Sequence, residues 1–149
     1  DLTAKGTFEM SGLIGYFSDW TLSLDGGARL SNDQDYLQNS TALETVGMDS
    51  VFGGIEGDVS WSPSRNLQLT SLLYAEGRGY IDRRALDKNE GTTDEALTNV
   101  NLGGSLKADW TSDDSLYFVF ELSGGKTFSN DPNEEYWSFG ISGGIEYGF

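Results

Sequence analysis

Long stretches of this chain alternate polar and apolar residues with a period of two, and hardly any of it carries the rhythm of an amphipathic helix. A strand throws successive side chains to opposite faces, so the chain is predicted to form sheet with one apolar and one polar face. Seven alternating segments are readable, at about 2–17, 20–30, 50–61, 66–81, 97–110, 115–128 and 136–149. In the fourth, Leu67, Leu69, Leu73, Ala75 and Ile81 share one parity and Gln68, Thr70, Glu76 and Arg78 the other. In the fifth, Val100, Leu102, Leu106, Ala108 and Trp110 oppose Asn101, Ser105, Lys107 and Asp109. In the last, Trp137, Phe139, Ile141, Ile145, Tyr147 and Phe149 oppose Ser138, Ser142 and Glu146.

Alternation also suits a soluble calyx, so three further features carry the reading. Strands of soluble domains usually run about 5–6 residues, and a tilted membrane strand needs about 9–11; most of these segments exceed ten. The connections alternate short (Ser18-Asp19, Ser62 to Arg65, Thr111 to Asp114) and long (about 31–49, 82–96 and 129–135). Short turns on one side and long polar loops on the other are the layout of an outer-membrane barrel. Lastly, Trp20, Trp61 and Trp110 flank the short turns, with Tyr147 and Phe149 at the chain end, while Tyr80, Phe128 and Trp137 lie near the other rim. Such girdles mark membrane interfaces.

The composition agrees. The chain has 37% hydrophobic residues, 20 Gly and 2 Pro, yet 4 Trp, 7 Tyr and 8 Phe: poor in aliphatics for a soluble core and too aromatic for a disordered chain. Its 149 residues suit a single domain, 1–149. A net charge of -15 makes nucleic acid an unsuitable partner. With no Cys and no His, the chain lacks thiolate chemistry and the commonest general base and metal ligand. No run of apolar residues is long enough for a transmembrane helix. Glu134-Glu135 and Asp113-Asp114 read as solvated loop charge, and the segment 129–135 does not match the spacing of an EF-hand. No catalytic residue, cofactor or metal is therefore expected, and the chain is not expected to be an enzyme.

The ending Ser142-Gly143-Gly144-Ile145-Glu146-Tyr147-Gly148-Phe149 resembles the terminal β-signal of outer-membrane proteins, with Ser142, Gly144, Tyr147 and Phe149 in its four places. From about Val46 onward, "LQLTSLLYAEGRGY", "GGSLKADWTSDDSLYFVFELSGG" and "SFGISGGIEYGF" resemble the last strands of autotransporter translocator domains. The resemblance implies recognition by the barrel-assembly machinery, an outer membrane of the Gram-negative type with its lipid and lipopolysaccharide, and a twelve-stranded barrel that exports a passenger segment.

The fold class expected is therefore all-β, an antiparallel transmembrane β-barrel. Seven strands is an odd count, so the barrel is either eight-stranded, with a strand hidden in 31–49, or the closing part of a twelve-stranded one with further barrel strands upstream. The polar parity collects Lys5, Glu9, Asp25, Arg29, Glu56, Asp58, Glu76, Arg78, Lys107, Asp109, Glu121 and Glu146, an excess of carboxylates expected to line a lumen, hydrated or packed with paired charges. Glu76 with Arg78, and Lys107 with Asp109, are placed so that opposite charges could meet across a ladder. The alternatives are a free-standing small barrel acting through its loops, as adhesin or envelope-structural protein, and a soluble ligand-binding calyx.

Overall fold

The computed structural model describes residues 2–31, 34–38, 43–47, 49–113 and 116–147. Nine strands follow one another: β1 (Leu2–Leu13), β2 (Ser18–Leu30), β3 (Gln34–Gln38), β4 (Leu43–Gly47), β5 (Ser50–Ser64), β6 (Leu67–Leu86), β7 (Thr92–Asp113), β8 (Leu116–Ser129) and β9 (Tyr136–Tyr147), with one 3-10 turn at Pro132–Glu134. Seven of them form a single antiparallel sheet in the order β1-β2-β5-β6-β7-β8-β9. Every neighbour in that sheet is the next long strand in sequence, a plain meander. The sheet is open: among the described residues β1 pairs only with β2, and β9 only with β8. All-β structure and antiparallel pairing are as expected; closure into a barrel is not part of the described structure.

The connections differ from the sequence reading in several places. β1 stops at Leu13 and turns through 14–17, where Gly15 takes φ +83°, so Ser18 and Asp19 already belong to β2. β5 runs on to Ser64, past a register shift between Trp61 and Ser64, and turns at Arg65-Asn66. Asn66 closes that end by donating its side-chain amide to the carbonyl of Thr111, 2.7 Å away. β7 continues to Asp113, and residues 114–115 lie outside the described residues. The region 82–96 is not a loop but a continuation of β6 and β7, paired at Arg84–Ala96 and Leu86–Thr92. Asp87 tightens its tip by accepting from the backbone N–H groups of Asn89 and Gly91, both at 2.8 Å. Within 31–49, β3 and β4 pair with each other in a separate two-stranded sheet and supply no eighth strand to the main one.

The core is where a soluble domain would least want it. Among the described residues the buried hydrophobic side chains are Ala85, Leu86 and Leu97, all in the β6–β7 extension beyond the main sheet. Among the described residues no second layer covers either face of the sheet itself.

Candidate functional site

Residues opposite each other in a ladder share a face, so the register sorts the sheet into two surfaces. One carries Phe8, Leu24, Ile55, Ala75, Leu102 and their parity mates; the other carries the twelve ionisable residues named above, from Lys5 and Glu9 to Glu121 and Glu146. The apolar surface is open: Leu73 is 69% exposed, Ile145 72%, Phe139 76% and Trp137 78%. A single water-soluble domain rarely leaves an apolar patch larger than a few hundred Å² uncovered.

The apolar surface has one width on four strands. On β2 it runs from Trp20 to Leu30, on β5 from Val51 to Trp61, on β7 from Val100 to Trp110 and on β9 from Trp137 to Tyr147, while on β8 it runs from Leu116 to Phe128. Each of those four spans is ten residue steps with six side chains on the apolar face, or about 33 Å along the strand.

Its border is a staircase. The row through Trp20 and Val59 lies one step (two residues) short of the row of Trp61 and Leu69. Trp110, paired with Leu67 and Phe118, lies one step further, and Tyr147, paired with Leu116, one further still. That is six residues, about 20 Å, across five strand-to-strand steps, about 24 Å, a slope of about 40° to the pairing rows. Trp137 and Phe128 step the same way at the opposite border, since Lys126 and not Phe128 faces Trp137. Trp20, Trp61 and Trp110 thus edge one side of the apolar surface and Trp137 the other. Tyr80, by contrast, stands on the polar face.

One charge breaks the apolar surface. Between its two borders, Lys126 is the only ionised side chain on it among the described residues of the paired rows. Its Nζ meets Glu135 at 2.7 Å and sits over the rings of Phe128 and Trp137, 4.4 and 5.2 Å from their centroids. Its height matters: it lies two residues inside the border residue Phe128, so the long stem can carry the ammonium to the edge. The sequence reading missed it because Lys126 follows a glycine pair, where parity is hard to follow.

On the polar face, ions pair both along strands and across them. Arg78 reaches Glu76 at 3.3 Å and Lys107 reaches Asp109 at 3.0 Å, each two residues away on its own strand. β6 and β7 do pair, but Glu76 faces Asn101, Arg78 faces Asn99 and Lys107 faces Thr70, so the two charge pairs never meet across that ladder. Lys5 does cross, to Asp25 on β2 at 3.3 Å. Tyr117 donates its hydroxyl to Asp109, and Thr127 donates to Asn101 at 2.7 Å. Glu56, Asp58, Glu121 and Glu146 have no basic partner within salt-bridge range among the described residues. Hollows of about 440 and 250 Å³ lie against this face, the larger lined by Glu56, Tyr74, Ser105, Glu121, Ser123 and Ser138.

A small lobe stands at the rim of the long connections. Asp131, buried, accepts from the N–H groups of Leu86 (3.0 Å) and Asn133 (2.9 Å). Asn130 mimics a strand residue, accepting from the N–H of Thr98 at 2.9 Å and donating to Ala96 O at 2.8 Å. Arg83 pairs with Glu134 and stacks on Tyr80. The carboxylates of 129–135 are thus engaged with the protein itself.

Of the terminal motif, Ser142 and Gly144 lie on the polar face of β9 and Tyr147 at the apolar border, while Phe149 lies outside the described residues. No protein-family model matches this chain, and neither a curated protein nor a solved structure matches it significantly. The functional reading therefore rests on the geometry of the two faces.

Proposed function

We propose that this chain is an integral β-barrel of an outer membrane, its apolar face against lipid and its polar face lining a hydrated lumen of the translocator kind, anchoring and passing a passenger segment. The observation that carries the reading is the apolar band with stepped aromatic borders, ten residue steps across on β2, β5, β7 and β9. Strands tilted by about 40° bring Trp20, Trp61, Trp110 and Tyr147 to one height, and ten residues at that tilt rise about 25 Å, the height of the apolar band of outer-membrane barrels. Arg, Lys and carboxylates midway along the strands demand water or partners on the other face. The carboxylates without a basic partner favour a lumen that holds water over one packed with paired charges. The C-terminal motif supports delivery to a barrel-assembly machinery.

A second reading has one observation in its favour. The lobe built on Ala85, Leu86, Leu97 and Asp131 gives the long-loop rim a fixed shape, which suits a small barrel that acts through its loops as an adhesin or envelope-structural protein.

The test is depth-dependent quenching of the four tryptophans in vesicles of brominated lipids. All four lie at the borders of the apolar band, so bromines near the headgroups should quench more strongly than bromines at the acyl-chain ends. Emission quenched by aqueous iodide and untouched by either lipid would overturn the reading.

A further inference from the structure

β1 runs from the long-connection rim at Leu2 to the short-turn rim at Leu13, and β9 runs the same way from Tyr136 to Tyr147. The two free edges of the sheet are therefore parallel to each other. Neither edge is guarded. β9 contains no Pro, Lys or Arg, β1 only Lys5, and neither ladder at the edges shows the register shifts found inside the sheet. Proteins usually protect an edge meant to stay free with prolines, lysines or bulges. In lipid the need for a partner is absolute, since an unpaired backbone amide there costs several kcal/mol.

We infer that an odd number of further two-faced strands, from outside residues 2–147, closes this sheet, with the strand on each free edge running antiparallel to it. The inference rests on the membrane reading above and adds the partner. Parity of direction carries it: β1 and β9 can join directly only as a parallel seam, and any even number of antiparallel strands between them leaves the same mismatch. A ring made of copies of this chain about the membrane normal fails likewise, because it sets β9 of one copy parallel to β1 of the next. The partner's chemistry is fixed by the wall it completes. It alternates polar and apolar residues, presents an apolar face about ten residue steps long, matching the four spans above, and keeps small polar or charged groups inward.

The chain has no native Cys, so engineered pairs are clean reporters. Gly143→Cys on β9 is combined in turn with Ala4→Cys, Gly6→Cys and Phe8→Cys on β1, in the full-length protein in lipid vesicles. These positions share the apolar face, and Cβ atoms at Gly6 and Gly143 meet nothing closer than 3.6 Å. Gly6→Cys with Gly26→Cys, direct partners across β1 and β2, is the positive control. Adjacent strands hold paired Cα atoms about 5 Å apart, within disulfide reach, and one intervening strand holds them at about 10 Å, beyond it. The result expected is a disulfide in the control alone, together with outward amides of β1 and β9 protected from hydrogen exchange. A disulfide between β1 and β9, within one chain or between two, would overturn the inference. So would edge amides that exchange as freely as an unfolded peptide in protein that floats with the vesicles. Failure to float would count against the membrane reading instead.

Discussion

Tyr74 lies over Gly103, so close that a Cβ at that glycine would sit 2.6 Å from the tyrosine hydroxyl. The two residues face each other across β6 and β7 on the polar face, and Gly125 on β8 continues the same row. A Cβ at Gly125 would meet the same hydroxyl at 3.3 Å. The glycines open a groove in which the ring lies along the sheet, covering backbone that no side chain of theirs protects. Gly103→Ala should lift the ring and lower the melting temperature in detergent, the cost of an overpacked site being about 1–3 kcal/mol. Gly6→Ala, where a Cβ meets nothing within 4 Å, is the control and should change little. Equal melting temperatures for the two variants would show that the ring has another resting place.

Asp131 organises the loop rim from a position 1% exposed. Its two oxygens accept separate backbone N–H groups, one from the β6 extension and one from the 3-10 turn, so it ties these two segments alongside the Arg83–Glu134 ion pair. Asp131→Ala leaves the buried Leu86 N–H without its acceptor, a loss of about 1–3 kcal/mol. The lobe should open while the sheet persists. Limited proteolysis checks this: new cleavage within 82–97 or 130–135, with strands β7 and β8 still protected, is the expected pattern. Cleavage spread over the whole chain would mean that the lobe and the sheet unfold together.

The faces of the sheet were legible because the period of two is imposed by the backbone and survives any error in where a strand ends. Ends were not legible. Gly15 sits in a positive-φ turn inside what alternation presents as one long segment from 2 to 17, and pattern alone does not distinguish a turn residue from a strand residue. The extension through Arg83, Ala85 and Leu86 looked like polar loop because its apolar residues bury against the lobe and not in a regular band. The ion pairs were half legible. Residues two apart on a strand share a face, so Glu76 and Arg78 could meet, but which strand position opposes Arg78 depends on register, which the alternation does not set. Closure was the least legible, since alternation counts strands and faces but does not say which edges pair.

Register bears on a third prediction. Arg78 pairs with Glu76 along its own strand and lies over the ring of Phe52 on β5, 5.6 Å from its centroid. Both partners of the ion pair keep about a third of their surface exposed, so the pair is worth at most about 1 kcal/mol. Arg78→Ala should therefore lower the melting temperature by no more than a few degrees. Asp25→Ala should do about as much, by removing the Lys5–Asp25 ion pair that crosses from β1 to β2 on this face. A collapse of the fold in Arg78→Ala would mean that the guanidinium reaches partners across a closed lumen.

Lys126 supplies the sharpest test of what lies against the apolar face. It is held at the border by Glu135 and by the two rings, and Glu135 is the more exposed member of the pair. If lipid covers this face, a lysine there is tolerated only near the interface, where the cost falls to about 0–1 kcal/mol from about 2–4 kcal/mol at the midplane. Lys126→Met then removes a charge from an apolar surface, leaving Glu135 in water, and unfolding in vesicles should be unchanged or slightly harder. Glu135→Ala strips the lysine of its counterion and should cost more, and the double variant should behave like Lys126→Met alone. In water the order changes: with solvent on both groups the two single variants should cost the same small amount. The ranking of the two single variants in vesicles reports which solvent the face meets: unequal costs point to lipid and equal ones to water.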